Sequence, residues 1–231
     1  MTKITWLGHA GFEFQFDSGE VLLTDPWIEG NPVYPKSHKI KRVDAIALSH
    51  GHADHTAGVI PVAKEFKPKV VAIFETAAFF AKKGVTNTIG INKGGTVDLG
   101  FVKLTMTHAL HSGGIEDGDQ MVYAGDPAGY VLTERDGRRA YFAGDTSLFY
   151  DMSLIADVYQ PELALLPIGD YYTMGPLEAA YAARLLKVRK VIPMHYGTFP
   201  ALTGRPEDLA ARLKKDGIEV WTLKPGQPVE W

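Results

Sequence analysis

Residues 49 to 55 read Ser49-His50-Gly51-His52-Ala53-Asp54-His55, at the end of the apolar run Val43–Ser49. A short apolar run of this kind is consistent with a buried strand. Three imidazoles and a carboxylate are then delivered to one end of an interior element, a set of nitrogen and oxygen donors suited to zinc, iron or manganese. His50 and His52 stand two apart and share one side of an extended segment. Asp54 and His55 fall on the turn beyond it, within reach of a second metal a few Å away. A solvated histidine-rich loop is the competing reading. These four donors do not close two metal sites, so a chain that uses them must fold to bring others alongside.

Candidates for those further donors are His9, His38, His108, His111, His195 and the carboxylates at strand ends. Val102, Leu104 and Met106 alternate with Lys103, Thr105 and Thr107, a period of two that predicts a strand over Phe101–Ala109. His111 lies just past it, in Leu110-His111-Ser112-Gly113-Gly114, where a loop can turn it toward a site. His108 continues the apolar face and reads as a core histidine or as a support for ligands. Tyr130–Arg135 and Arg138–Ala143 flank Asp136-Gly137, a strong hairpin signal. Asp145 ends the second of these strands behind Gly144, and its bland alternative is a helix N-cap. His195 follows the apolar Val191-Ile192-Pro193-Met194. Three separate apolar strands thus each supply a ligand type at their C-terminal ends, which argues for one shared site. His38 reads as plain surface.

The rest of the chain alternates strands and helices. Strands are expected at Ile4–Leu7, Gly11–Phe16, Val21–Thr24, Lys69–Phe74, Leu163–Leu166, Lys190–Pro193 and Glu219–Thr222. Helices are expected at Gly58–Phe66, Thr76–Lys83, Leu148–Val158, Pro176–Leu186 and Pro206–Lys215. No linker or low-complexity tract divides residues 1–231, and one domain of mixed sheets with helices outside is the economical reading. The chain contains no cysteine, which excludes disulfides, Cys-type zinc knuckles, Cys-ligated clusters and a thiol nucleophile. A net charge of −3 without a basic arm gives no expectation of nucleic-acid binding. MTKITWLGHAGF lacks the apolar core of a signal peptide, and no run is long enough to span a bilayer, so a cytoplasmic protein without a membrane association is expected.

These residues together resemble the metallo-β-lactamase-fold hydrolases, whose His-x-His-x-Asp-His signature is matched by His50, His52, Asp54 and His55. Within that superfamily the chain is similar to a bacterial and archaeal group of metal-dependent hydrolases related to the ascorbate 6-phosphate lactonase branch. Shared phrases are WLGHAGF, LSHGHADH, FAGDTS, Thr173-Met174-Gly175-Pro176 and PMHYGTFP. The resemblance covers essentially the whole chain. It implies an α+β fold, the αββα sandwich of two mixed β-sheets flanked by helices, as a single domain over residues 1–231. It implies that His50, His52 and His111 hold a first metal, that Asp54, His55 and His195 hold a second, and that Asp145 bridges them. Asp25, in Leu23-Thr24-Asp25-Pro26, resembles the family's early aspartate; Asp25 and His9 are expected to orient the ligands from behind.

The implied cofactors are two divalent transition-metal ions, Zn²⁺ in the first place, with Mn²⁺, Fe²⁺ and Ni²⁺ sharing these donors. The implied activity is hydrolysis of a small-molecule lactone, ester or phosphoester by a metal-bridging hydroxide, with Asp54 as general base. A phosphodiesterase or nuclease acting on RNA and a metal-binding protein without turnover are the alternatives. Trp27, Tyr34, Tyr171, Tyr172, Met174 and Phe199 are candidate pocket residues, of which Trp27, Tyr172, Met174 and Phe199 are the chosen substrate contacts. The basic run Lys36–Arg42 is either a solvated loop or a receiver for an anionic substrate. The Trp27–Pro35 loop is a candidate cap for a neighbouring subunit in a homo-oligomer.

Overall fold

A computed structural model describes all of residues 1–231. The chain forms two compact units, crossing between them after Asn92, His111, Pro127 and Thr222. Each unit is built on its own seven-stranded sheet.

In the first unit the strand order is Pro228–Glu230, Lys3–Gly8, Gly11–Gln15, Val21–Thr24, Ala45–Ala47, Lys69–Ile73 and Thr88–Ile91. The pairings are antiparallel up to Val21–Thr24 and parallel from there on. The parallel strands are wholly buried apart from Lys69 and the edge strand, as their unbroken Val/Leu/Ile/Ala sequences require. Helices Val59–Phe66 and Phe74–Lys82 flank this sheet's parallel half, with Val59, Val62, Ala77 and Phe80 turned into the core. Val21–Thr24 and Ala45–Ala47 run the same way with Thr24 opposite Ala47, so Asp25 and Ser49 leave the sheet side by side. The two-residue turn His9-Ala10 closes the hairpin of Lys3–Gly8 with Gly11–Gln15, and Phe12 pairs with Thr24. That turn therefore opens onto the same edge as Asp25.

The second unit's sheet has the order Glu219–Val220, Lys190–Met194, Leu163–Pro167, Arg139–Phe142, Ala128–Glu134, Val102–His108 and Thr96–Asp98. The first three pairings are parallel and the last three antiparallel. Helices Met152–Tyr159, Pro176–Leu185 and Pro206–Leu213 make the crossovers between its parallel strands. Pro stands in the first turn of the last two, where a missing N–H costs nothing. Because Ala128–Glu134 is antiparallel to both neighbours, Val102–His108 points the same way as Arg139–Phe142 and Lys190–Met194. The segments carrying His111, Asp145 and His195 thus all leave one edge of one sheet, the carboxyl-terminal edge where open sheets place their ligands.

Two mixed sheets with flanking helices make this an α+β fold, as expected. Some elements differ from the sequence expectation. The helix expected from Leu148 begins at Met152. Residues 148–151 are held as a loop, with Phe149 buried edge-on against the ring of His108, centroids 5.4 Å apart. Asp145 is consequently no helix cap. Asp54 and His55 lie in a one-turn helix, Ala53–Thr56, rather than an open turn. Short strands at Thr88–Ile91, Thr96–Asp98, Gly114–Asp117, Gln120–Tyr123 and Pro228–Glu230 were not expected; they are half-exposed and carry too little apolar alternation to announce themselves. No helix is long and apolar enough to cross a membrane.

Candidate metal centre

In the first unit the donors gather where the hairpin turn, Asp25 and the loop after Ala47 meet. His9, Asp25, His50 and His55 are buried almost completely. His50 Nε2 and His52 Nδ1 lie 2.8 Å apart. The rings of His50 and His55 have centroids 4.2 Å apart, and those of His9 and His55 5.3 Å. Asp54 Oδ2 is 3.0 Å from His9 Nε2 and 4.0 Å from His55 Nε2. Asp25 Oδ2 is 2.8 Å from His55 Nδ1, so the carboxylate accepts a hydrogen bond from that ring's N–H and His55 turns its Nε2 toward Asp54. Asp25, His50 and His55 have ligand atoms within 4.8 Å of one another. Asp25 is nonetheless engaged by Ser49 and His55 on both of its oxygens, which makes it an orienting group behind the donors.

The loop that carries the histidines is clamped by close backbone contact. A Cβ on Gly51 would lie 2.7 Å from the carbonyl oxygen of Gly114, so only glycine fits between His50 and His52 at this packing distance. Farther along, Gly58 N–H donates to the carbonyl of Pro26 at 2.7 Å, which ties the segment after His55 to the segment after Asp25.

In the second unit one carboxylate oxygen is shared. Asp145 Oδ2 lies 2.9 Å from His195 Nε2 and 3.6 Å from His111 Nε2. Both Asp145 and His195 are buried, and His111 is partly so. The loops are zipped together: Leu110 N–H donates to Thr146 Oγ1 at 3.0 Å, and Ser147 N–H to Leu110 O at 3.0 Å. That pairing carries His111 to Asp145.

Buried imidazoles and carboxylates without a thiol form a donor set for a divalent transition metal. A model of the Beta-lactamase superfamily domain matches residues 20–196. A UPF0173 metal-dependent hydrolase of Solibacter usitatus is 59% identical over 229 residues, which cover 99% of this chain and 100% of that one. The chain belongs to the metal-dependent hydrolases of the β-lactamase superfamily. A hydrolase of the same group from Koribacter versatilis is 49% identical over 226 residues, covering 97% of this chain and 96% of the relative. Among solved structures, Igni18, a metallo hydrolase from the archaeon Ignicoccus hospitalis, superposes with a TM-score of 0.87 at 32% identity, over 100% of this chain and 99% of that one. The fold is that of the metallo-β-lactamases.

The substrate-contact candidates of this hydrolase differ in exposure and contacts. Trp27 is partly buried and meets the ring of His9 edge-on, centroids 5.2 Å apart, at the donor cluster itself. Tyr172 is 54% exposed and packs edge-on against Tyr171. Phe199 is partly buried. Met174 is fully buried, with its backbone hydrogen-bonded to Asp170 and Thr146, and it is a core residue that offers nothing to an entering substrate. In the basic run, Arg42 is bound to Asp44 at 2.9 Å, which raises the pKa of its guanidinium and spends it locally. His38 is not plain surface: its side chain is 17% exposed and pairs with Glu13 at 3.2 Å. His108 is half-buried with Nδ1 3.2 Å from Lys93 Nζ. Sequence reasoning passed over Ser49, whose hydroxyl stands between Asp25 and His50 at 2.5 and 2.9 Å. It also passed over Gly169, where a Cβ would meet the carbonyl oxygen of His195 at 2.1 Å.

Proposed function

We propose that this hydrolase works with two divalent transition-metal ions, zinc in the first place, on a small-molecule lactone, ester or phosphoester. His50, His52 and His111 would hold one ion, Asp54, His55 and His195 the other, and Asp145 both. The observation that carries the reading is the position of Asp145: one oxygen of a buried carboxylate faces His111 and His195, a donor assigned to each ion. A bridging ligand has to stand in that relation to its neighbours. When bound, such a pair of ions acidifies a water to near-neutral pKa and neutralises charge that develops on the substrate oxygen.

The chain's own groups supply the rest. Asp54 has a side chain 25% exposed, within reach of water, and its Oδ2 is held by His9 at 3.0 Å. An anionic Asp54 favours the His9 form that carries its proton on Nε2, and His9 then fixes the carboxylate's orientation. Asp54 accepts the proton of the attacking water and returns it to the leaving oxygen. Trp27 packs edge-on against the His9 ring and so helps to hold the imidazole that orients Asp54. The missing cysteine leaves nitrogen and oxygen as the only ligand atoms, which suits zinc and admits manganese, iron and nickel.

Metal analysis of the purified protein tests this, together with a panel of lactones, esters and phosphodiesters assayed with Zn²⁺ and Mn²⁺. About two equivalents of metal per chain and turnover of one class are expected. Asp145→Ala is expected to lose most of the metal along with the activity. A well-folded preparation without affinity for zinc or manganese would overturn the reading.

A further inference from the structure

We propose that Ser49 is a positioning residue: it relays the charge of Asp25 to His50, so that one buried carboxylate sets the tautomer of two ligand histidines. The inference rests on the two-metal reading for its consequence, but its geometry stands by itself within the first unit.

Asp25 accepts Ser49 N–H on Oδ1 at 2.8 Å, and on Oδ2 it receives Ser49 Oγ at 2.5 Å and His55 Nδ1 at 2.8 Å. An ionised carboxylate only accepts. His55 must therefore carry its proton on Nδ1 and present Nε2. Ser49 has a single hydroxyl proton, and the 2.5 Å separation from Asp25 is that of a charge-assisted O–H···O⁻ bond. The proton lies on that line. Toward His50 Nδ1, 2.9 Å away, the same hydroxyl can then only accept. His50 is thereby forced to carry its proton on Nδ1 and to offer the lone pair of Nε2.

The neighbouring contact accommodates that form. His50 Nε2 and His52 Nδ1 are 2.8 Å apart, so one of the two nitrogens donates and the other accepts. His50, with its proton on the far side of the ring, is the acceptor. Imidazole side chains in water favour the opposite form, with the proton on Nε2, which blocks that nitrogen for a metal. Asp25 reverses this preference twice, directly at His55 and through Ser49 at His50. Since His50 and His55 are assigned to different ions, removal of the hydroxyl should weaken one ion's site and spare the other.

The test uses the full chain with ¹⁵N-labelled histidine, stripped of metal and held above the imidazole titration range. Long-range ¹H–¹⁵N correlation spectra report which ring nitrogen carries the proton. His50 and His55 are both expected in the Nδ1–H form. In Ser49→Ala only His50 is expected to shift toward the Nε2–H form, and Ser49→Thr, which keeps the hydroxyl, is expected to restore it. A competitive zinc titration of the same proteins is expected to show one of two equivalents weakened about 10–100-fold in Ser49→Ala and the other unchanged. The relay is overturned if wild-type His50 carries its proton on Nε2, a result that needs no variant to fold, or if Ser49→Ala leaves His50 unmoved. Wild-type protein that binds fewer than two zinc ions would instead overturn the metal assignment, while the spectra still decide the relay.

Discussion

Gly169→Ala puts the placement of His195 to a quantitative test. An ideal Cβ at residue 169 lies 2.1 Å from the carbonyl oxygen of His195 and 3.0 Å from Leu202 Cδ2. Carbon and carbonyl oxygen ordinarily approach to about 3.3 Å, so the overlap is about 1.2 Å. The obstacle is backbone, which no rotamer change relieves, and the preceding ladder bond from Ile168 N–H to Met194 O, 3.0 Å, holds both segments in place. Either that bond breaks or the His195 segment moves by about 1 Å. Overpacking of this kind costs about 1–3 kcal/mol, which lowers Tm by roughly 2–4 °C per kcal/mol in a chain of this size. A ligand displaced by 1 Å loses on the order of 100-fold in rate. Gly197→Ala is the control. Gly197 has φ +71° and nothing within 4 Å of a Cβ, so alanine there meets backbone strain of about 1–2 kcal/mol but pushes on nothing. Thermal melts and zinc titrations of the two variants are expected to agree in stability loss and to differ in metal affinity, with Gly169→Ala the weaker binder. Wild-type melting of Gly169→Ala, or equal zinc loss in both variants, would refute the steric argument.

Asp54→Asn keeps the shape of the side chain and removes its basicity; kcat is expected to fall about 10²–10⁴-fold, in single-turnover assays on metal-loaded protein. An unchanged kcat would dismiss Asp54 as the base. His9→Ala withdraws the hydrogen bond that orients Asp54 and should lower kcat with little change in KM; a rise in KM alone would place His9 in substrate binding instead. Tyr141 is fully buried, and burial pushes its phenol far above the ordinary value near 10. A raised pKa gives stability that is complete below the unfolded-state value and is lost as pH rises beyond it. The urea midpoint of the wild type should therefore decline above about pH 10, and Tyr141→Phe should decline less; parallel slopes for the two proteins would contradict the assignment.

What the sequence disclosed follows from how each element makes its signal. Leu163–Pro167 and Lys190–Met194 are interior parallel strands, and burial on both faces writes them as unbroken apolar runs. Thr96–Asp98 and Thr88–Ile91 lie at sheet edges with half-exposed side chains, so their strand state comes from pairing with a single neighbour, Val102–His108 and Lys69–Ile73 respectively, and not from an apolar pattern of their own. The donor density at residues 50–55 is visible because three imidazoles so close together have few structural uses. Ser49 is a different case. A serine before a histidine is unremarkable until strand register sets Thr24 opposite Ala47 and thereby Asp25 beside it. The start of the helix at Met152 was also hidden, because the buried Phe149 and the Thr146 hydroxyl hold residues 146–151 as a loop against the His108 and Leu110 segment, a tertiary effect that outweighs helix propensity.

His9, Asp25 and His195 share one further property: each is a non-glycine residue at positive φ, +56°, +37° and +56°, directly at the exit of a strand. Such a conformation costs on the order of 1–3 kcal/mol per residue and persists where the surroundings over-determine it. Here they do. The Trp6 indole donates to His9 O, Ser49 and His55 hold the Asp25 carboxylate, and Asp145 holds the His195 ring. A left-handed residue reverses the chain within one step, so a polar side chain can leave an apolar strand and point along the sheet edge at once. A longer loop would reach the same place with more freedom and more entropy to lose. The strain is therefore what short, rigid delivery of polar side chains from strand ends requires. Gly197, at φ +71°, follows His195 by two residues and lets the chain turn again there.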